Sequence, residues 1–101
     1  MTLSSKQRAY LKSLASTESP LFTVGKGGVS PEVTQSVEEL FHTHELIKGS
    51  VLKNCAEDVR EVADTIAGRT HSVTVQTIGR KIVLYKPFPE DPEIVLPKEE
   101  E

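Results

Sequence analysis

The stretch Val24-Gly25-Lys26-Gly27-Gly28-Val29-Ser30-Pro31 decides how the rest of the chain is read. The apolar run Leu21-Phe22-Thr23-Val24 leads into it as a short buried strand, and three glycines around one lysine separate that strand from a helix start. Ser30 is the natural N-cap, and Pro31 fits the first helical position, where a missing N–H costs nothing. A strand that empties through glycines into a helix N-terminus leaves backbone amides bare, next to a favourable dipole and an exposed lysine. That arrangement suits an anion such as a nucleic-acid phosphate, although a plain strand-to-helix turn uses the same residues. It does not suit a nucleotide triphosphate, because the spacing GxxxxGK[ST] is missing.

Upstream of the loop, Ser4 caps a helix over residues 4 to 17, in which Leu3, Gln7, Tyr10, Leu11, Leu14 and Ala15 recur at helical spacing. Arg8 and Lys12, four apart, share its outward face, and Lys6 lies on another. Downstream, Val33, Val37, Leu40 and Phe41 form the apolar stripe of a second helix that ends near His44. Residues 46 to 52 read as a strand with Ile47 and Val51 on one face and Lys48 and Ser50 on the other. A third helix turns Val59, Val62, Ala63 and Ile66 inward and takes Gly68 as its C-cap. Strands over residues 73 to 78 and 81 to 86 flank Gly79-Arg80, which puts Arg80 and Lys81 at a hairpin tip. The order α-β-α-β-α-β-β predicts an α/β fold of the α+β sandwich kind, a mixed four-stranded sheet packed with three helices. Helix-linked strands run parallel where they neighbour, and the final hairpin is antiparallel.

At 101 residues and 37% hydrophobic content the chain supports one domain and one core. The net charge of -3 is unevenly spread. Residues 89 to 101 carry six acids, Glu90, Asp91, Glu93, Glu99, Glu100 and Glu101, against Lys98, whereas residues 1 to 88 hold 11 bases and 9 acids. The division is therefore a mildly basic domain, 1 to 88, and an acidic tail, 89 to 101, punctuated by prolines. The tail is expected to be extended and to bury little, with Ile94, Val95 and Leu96 as its only adhesive residues. No apolar run approaches a membrane span, no signal-peptide core is present at the start, and Cys55 stands alone, all of which fits the cytoplasm.

Catalysis and metal binding find little purchase. Ser4, Ser5 and Ser30 sit where caps sit, and the pairs Glu38/Glu39 and Glu57/Asp58 lie on solvated helix faces. His42, His44, Cys55 and His71 lack zinc-ligand spacing, and His44 is better placed to close the second helix. Tyr10 and Tyr85 fall on periodic positions suited to packing. No cofactor, metal or catalytic residue is expected.

Four segments then carry a resemblance: Leu3-Ser4-Ser5-Lys6-Gln7, the glycine loop, His44-Glu45-Leu46-Ile47-Lys48, and the hairpin from Val75 through Ile78-Gly79-Arg80-Lys81 to Pro87. In this order and spacing they resemble the CRM domain (chloroplast RNA splicing and ribosome maturation), in particular its small stand-alone bacterial members of the YhbY-like kind, over residues 3 to 88. The resemblance implies an RNA-binding domain similar in fold to the C-terminal domain of translation initiation factor three. It implies association with ribosomal RNA of the large-subunit precursor and an RNA contact through a GxxG loop, which maps onto Gly25, Lys26, Gly27 and Gly28. Arg8, Lys12, Lys48, Arg80, Lys81 and Lys86 would extend that contact, each of them alone being an ordinary solvated base.

The chain departs from the family pattern at Gly49 and Ser50, where an apolar residue and a second base are common, and in its longer acidic tail. An RNA-binding monomer is the expectation. The alternative is a protein-interaction module in a ribonucleoprotein assembly, with RNA contact incidental. The tail, tethered to a basic body, is expected to compete with RNA.

Overall fold

In the computed structural model, which describes residues 2–98, the first helix opens with a reciprocal cap. Ser4 Oγ accepts from the Gln7 N–H at 3.1 Å, and the Ser4 N–H donates to Gln7 Oε1 at 3.1 Å. Helix α1 spans Ser5–Ala15, starting one residue after and ending two residues before the span 4 to 17 expected from the sequence. Leu11 and Ala15 are buried, but Tyr10, expected to pack, is 39% exposed.

Strand β1 is only Phe22–Val24. Leu21, expected to be buried with it, is exposed and joins the sheet only through its N–H on the Lys48 carbonyl. Helix α2, Pro31–Leu40, starts as expected: Ser30 Oγ accepts from the Val33 N–H at 3.2 Å, and Pro31 occupies the first turn. It stops at Leu40 rather than near His44, in a turn that buries Phe41 and delivers Glu45 and Leu46 to the sheet.

Strand β2, Leu46–Val51, leads to helix α3, Val59–Thr70, whose first amides are held by the Asp58 carboxylate. Gly68 is not the C-cap. Ala67 and Thr70 are both buried, so the helix continues past the glycine, and His71 takes the left-handed conformation at φ 59°. Strands β3, Val73–Ile78, and β4, Lys81–Tyr85, close through Gly79 at φ 57°.

The sheet order is β1-β2-β4-β3, with β1 parallel to β2 and both pairings of β4 antiparallel. The mixed α+β architecture read from the sequence is therefore the one observed. β4 enters between β2 and β3, so the two strands joined by α3 are not neighbours. One face of the sheet packs Phe22, Val24, Ile47, Val51, Ile82 and Leu84 against α2 and α3. The other packs Leu46, Val75, Val83 and Tyr85 against α1. Gly49 pairs with Phe22 on the first face, and the phenylalanine ring covers it so closely that no Cβ fits. That contact accounts for a glycine in a central strand.

The C-terminal segment runs along the body without regular structure, and it is pinned there. The Glu45 carboxylate, 4% exposed, accepts from the N–H groups of Phe88 at 2.8 Å, Glu93 at 3.0 Å and Ile94 at 2.7 Å. Ile94 and Leu96 then pack against the α1-side core, and Gln7 Nε2 donates to the Pro97 carbonyl at 3.1 Å. Val95 points outward. Glu99, Glu100 and Glu101 lie outside the described residues. Burial, and secondarily the Glu45 carboxylate, push the Tyr85 phenol up, so it stays neutral over the physiological range.

Candidate nucleic-acid interface

Parallel pairing brings the glycine loop to the hairpin tip. Val24 lies beside Val51, and the Leu52 N–H donates to the Val24 carbonyl at 2.8 Å. The next strand over contributes Arg80, whose carbonyl accepts from the Val51 N–H at 2.8 Å. Loop, tip and the residues after β2 thus share one end of the sheet. Within the loop, the Gly28 N–H donates to the Gly25 carbonyl at 2.9 Å, and Gly28 takes φ 67°. This turn projects Lys26 and Gly27 into solvent. A Cβ on Gly27 would meet nothing within 4 Å, so the loop tip is open to a ligand's backbone.

Side-chain alternation sorts the remaining bases. Thr23, Ser50 and Lys81 align across β1, β2 and β4 on the α1 side of the sheet, with Lys48 opposite Val83 on the same side. Helix α1 covers only part of that face. Lys12, Ala15 and Ser16 border a shallow groove of about 310 Å³, completed by Lys48, Gln76 and the exposed Ile78. Among the described residues, the side chains of Lys12, Lys26, Lys48 and Lys81 take part in no hydrogen bond or ion pair, which leaves their ammonium groups available.

The other three bases singled out in the sequence are engaged by the fold. Arg8 does not share an outward face with Lys12. It is half-buried, and its Nη1 donates to the carbonyls of Thr74 at 2.7 Å and Val75 at 2.8 Å, where a β-bulge interrupts the β3–β4 ladder. Arg80 Nε donates to the Val51 carbonyl at 2.7 Å and Nη2 to the Leu52 carbonyl at 2.5 Å, tying the tip to the end of β2. Lys86 Nζ donates to the Thr70 carbonyl at 2.9 Å, at the C-terminus of α3. It stands at the far end of β4, about 20 Å from the tip at 3.3 Å per residue.

These engagements predict a clean separation of effects. Arg8→Ala removes two bonds to backbone carbonyls and should lower stability by about 1–3 kcal/mol. Lys12→Ala, four residues along the same helix, should leave the thermal midpoint within a degree or two. Equal midpoints for both variants in thermal melts would show that Arg8 holds nothing together.

Three residues at this end carried no sequence signal. Lys53 is exposed in the loop after β2, next to Leu52, whose side chain a Cβ on Gly25 would meet at 3.5 Å. Arg69 Nη1 donates to the Val29 carbonyl at 3.3 Å from the last turn of α3. Glu57 Oε1 accepts from the Val29 N–H at 3.4 Å. All three are distant in the chain from the loop, and only the β1–β2 pairing and the α2–α3 contact bring them to it. His44, Cys55 and His71 disperse to a helix end, the core and a helix cap. Among the described residues, no His, Cys, Asp and Glu side chains gather to hold a metal ion. No helix among them is long and apolar enough to cross a membrane.

The fold and this end of it define a class: a small α+β domain with a glycine turn at the tip of a half-open, lysine-bearing sheet. The chain belongs to the CRS1/YhbY (CRM) domain family, whose model matches residues 3–86. It is 45% identical over 95 residues to the Probable RNA-binding protein YqeI of Bacillus subtilis, covering 94% of this chain and 99% of that protein. It is 37% identical over 97 residues to an RNA-binding protein of Haemophilus influenzae, covering 96% of this chain and 97% of that one. The solution structure of the hypothetical protein SAV1595 from Staphylococcus aureus superposes with a TM-score of 0.81 at 41% identity, over 95% of this chain and 100% of that chain.

Proposed function

We propose that this chain is a non-enzymatic RNA-binding protein that docks structured ribosomal RNA during assembly of the large subunit. The observation that carries the reading is the arrangement of Lys26 on an open glycine turn, Lys48 and Lys81 on the uncovered half of one sheet face, and Lys12 on the helix that borders it. Lysines act on phosphates as point charges that fix position without reading sequence, and structured RNA is recognised largely through shape, phosphate and 2′-OH. RNA binding is supported by the names of two relatives that match nearly the whole chain. The ribosomal target is supported by the family resemblance. In this reading Arg80 positions the tip, Arg8 holds α1 on the sheet, and Lys86 serves the fold at the far end.

Lys26→Glu should weaken binding to large-subunit ribosomal RNA by about tenfold or more, because it removes one phosphate contact and repels its neighbours. Its circular dichroism should match the wild type, since Lys26 is exposed and its side chain makes no hydrogen bond or ion pair among the described residues. Wild-type affinity should itself fall roughly a hundredfold between 50 and 200 mM salt if about four phosphates are neutralised. Unchanged affinity of Lys26→Glu at low salt would remove the loop from the interface. A complex with ribosomal particles that survives nuclease digestion would transfer the contact to a protein partner.

A further inference from the structure

The glycine loop already holds a carboxylate. Glu57 Oε1 accepts from the Val29 N–H at 3.4 Å, immediately before the Ser30 cap of α2. It also lies so near Gly28 that a Cβ built there would stand 2.6 Å from Oε1 and 3.4 Å from Cδ. The left-handed turn is what requires glycine at position 28, and the end of the flexible Glu57 side chain rests against it. The carboxylate is exposed and attached to the loop by one long hydrogen bond, a loose fit compared with Glu45 and its three amides. A carboxylate and a phosphate share charge sign and acceptor chemistry, so they compete for the same amide.

We infer that Glu57 is an internal competitor of RNA, a carboxylate resting at the mouth of the glycine loop that an incoming phosphate must displace. This rests on the reading of the loop as the phosphate contact. One consequence follows from the geometry. Affinity for any RNA that must take the loop amide is lowered by the same factor, set by how firmly the carboxylate holds that amide.

The test is the affinity of a short stem-loop RNA of mixed sequence for the full chain, measured at low salt for Glu57→Gln, Glu57→Asp and Lys26→Glu. Glu57→Gln removes the competing charge, whereas Glu57→Asp keeps the charge and withdraws it by one methylene. Both should bind about three- to tenfold more tightly than the wild type, with thermal midpoints unchanged. Tighter binding by Glu57→Gln alone would assign the effect to net charge and overturn the inference. Unchanged or weaker binding by both, or a lowered midpoint, would make Glu57 a structural tie and overturn it as well. Lys26→Glu separates the two levels: if it weakens binding while the Glu57 variants do nothing, only the competitor falls. If Lys26→Glu binds like the wild type, the loop reading falls with it.

Discussion

Gly49→Ala should destabilise the domain by about 3 kcal/mol or more, at the upper end of what overpacking costs in a tightly packed core. The added methyl would enter the Phe22 ring, which is itself buried against α2 and the sheet. The ring cannot step aside. Phe22 pairs directly with Gly49 in the parallel ladder, and Val24, Val37, Ile47 and Ile82 share its cluster. For a domain of this size the thermal midpoint should fall by roughly 12–24 °C. A second substitution identifies the cause: Phe22→Leu, destabilising in the wild-type background, should restore part of the loss in the Gly49→Ala background. Additive losses in that double-mutant cycle, or a midpoint within two degrees of the wild type for Gly49→Ala alone, would show that the ring does not require the glycine.

Gly49 also shows where sequence reasoning stops. Read along the chain, it was a departure from a family pattern; its reason lies in Phe22, twenty-seven positions upstream. The elements themselves were legible because their signals are local. Ser4 and Ser30 mark helix starts through bonds to residues three away, Pro31 by its fixed φ and missing N–H, and Gly79 marks its turn by a backbone angle. Helix ends were less legible, since burial of Ala67 and Thr70 carried α3 past Gly68, and delivery of Glu45 to the sheet cut α2 short at Leu40.

The candidate interface divides in the same way. Its loop was visible from glycine spacing, Lys48 from strand alternation and Lys81 from its place at the hairpin tip. What alternation cannot reveal is whether a base is already engaged. Arg8 turns to the carbonyls at a bulge, and no propensity announces a bulge at Val75. Glu57 looked like one more acid on a solvated face until folding set it against Gly28.

The C-terminal segment carries the other large effect. Six acids on a tether make it a candidate competitor for a basic surface, and three of them, Glu90, Asp91 and Glu93, are among the described residues. That described part lies on the flank of α1 that faces Leu14, His44 and Leu46, while the groove with Lys12 and Lys48 opens on the opposite flank. Glu45→Ala should therefore destabilise the protein by on the order of 3 kcal/mol, because the N–H groups of Phe88, Glu93 and Ile94 lose their acceptor together. Glu45→Gln should cost less but not be neutral, since its one carbonyl oxygen cannot serve both sides of the nest and its amide would face a third donor. Truncation after Phe88 removes two of the three donors along with the packing of Ile94 and Leu96. It should lower the thermal midpoint without tightening RNA binding. Thermal melts with limited proteolysis of residues 89 to 98 check the order wild type, Glu45→Gln, Glu45→Ala. A truncated protein that melts like the wild type and binds RNA more tightly would return the segment to the role of competitor. The predicted result would make Glu45 the residue that turns residues 89 to 98 of an acidic, proline-broken segment into part of the fold.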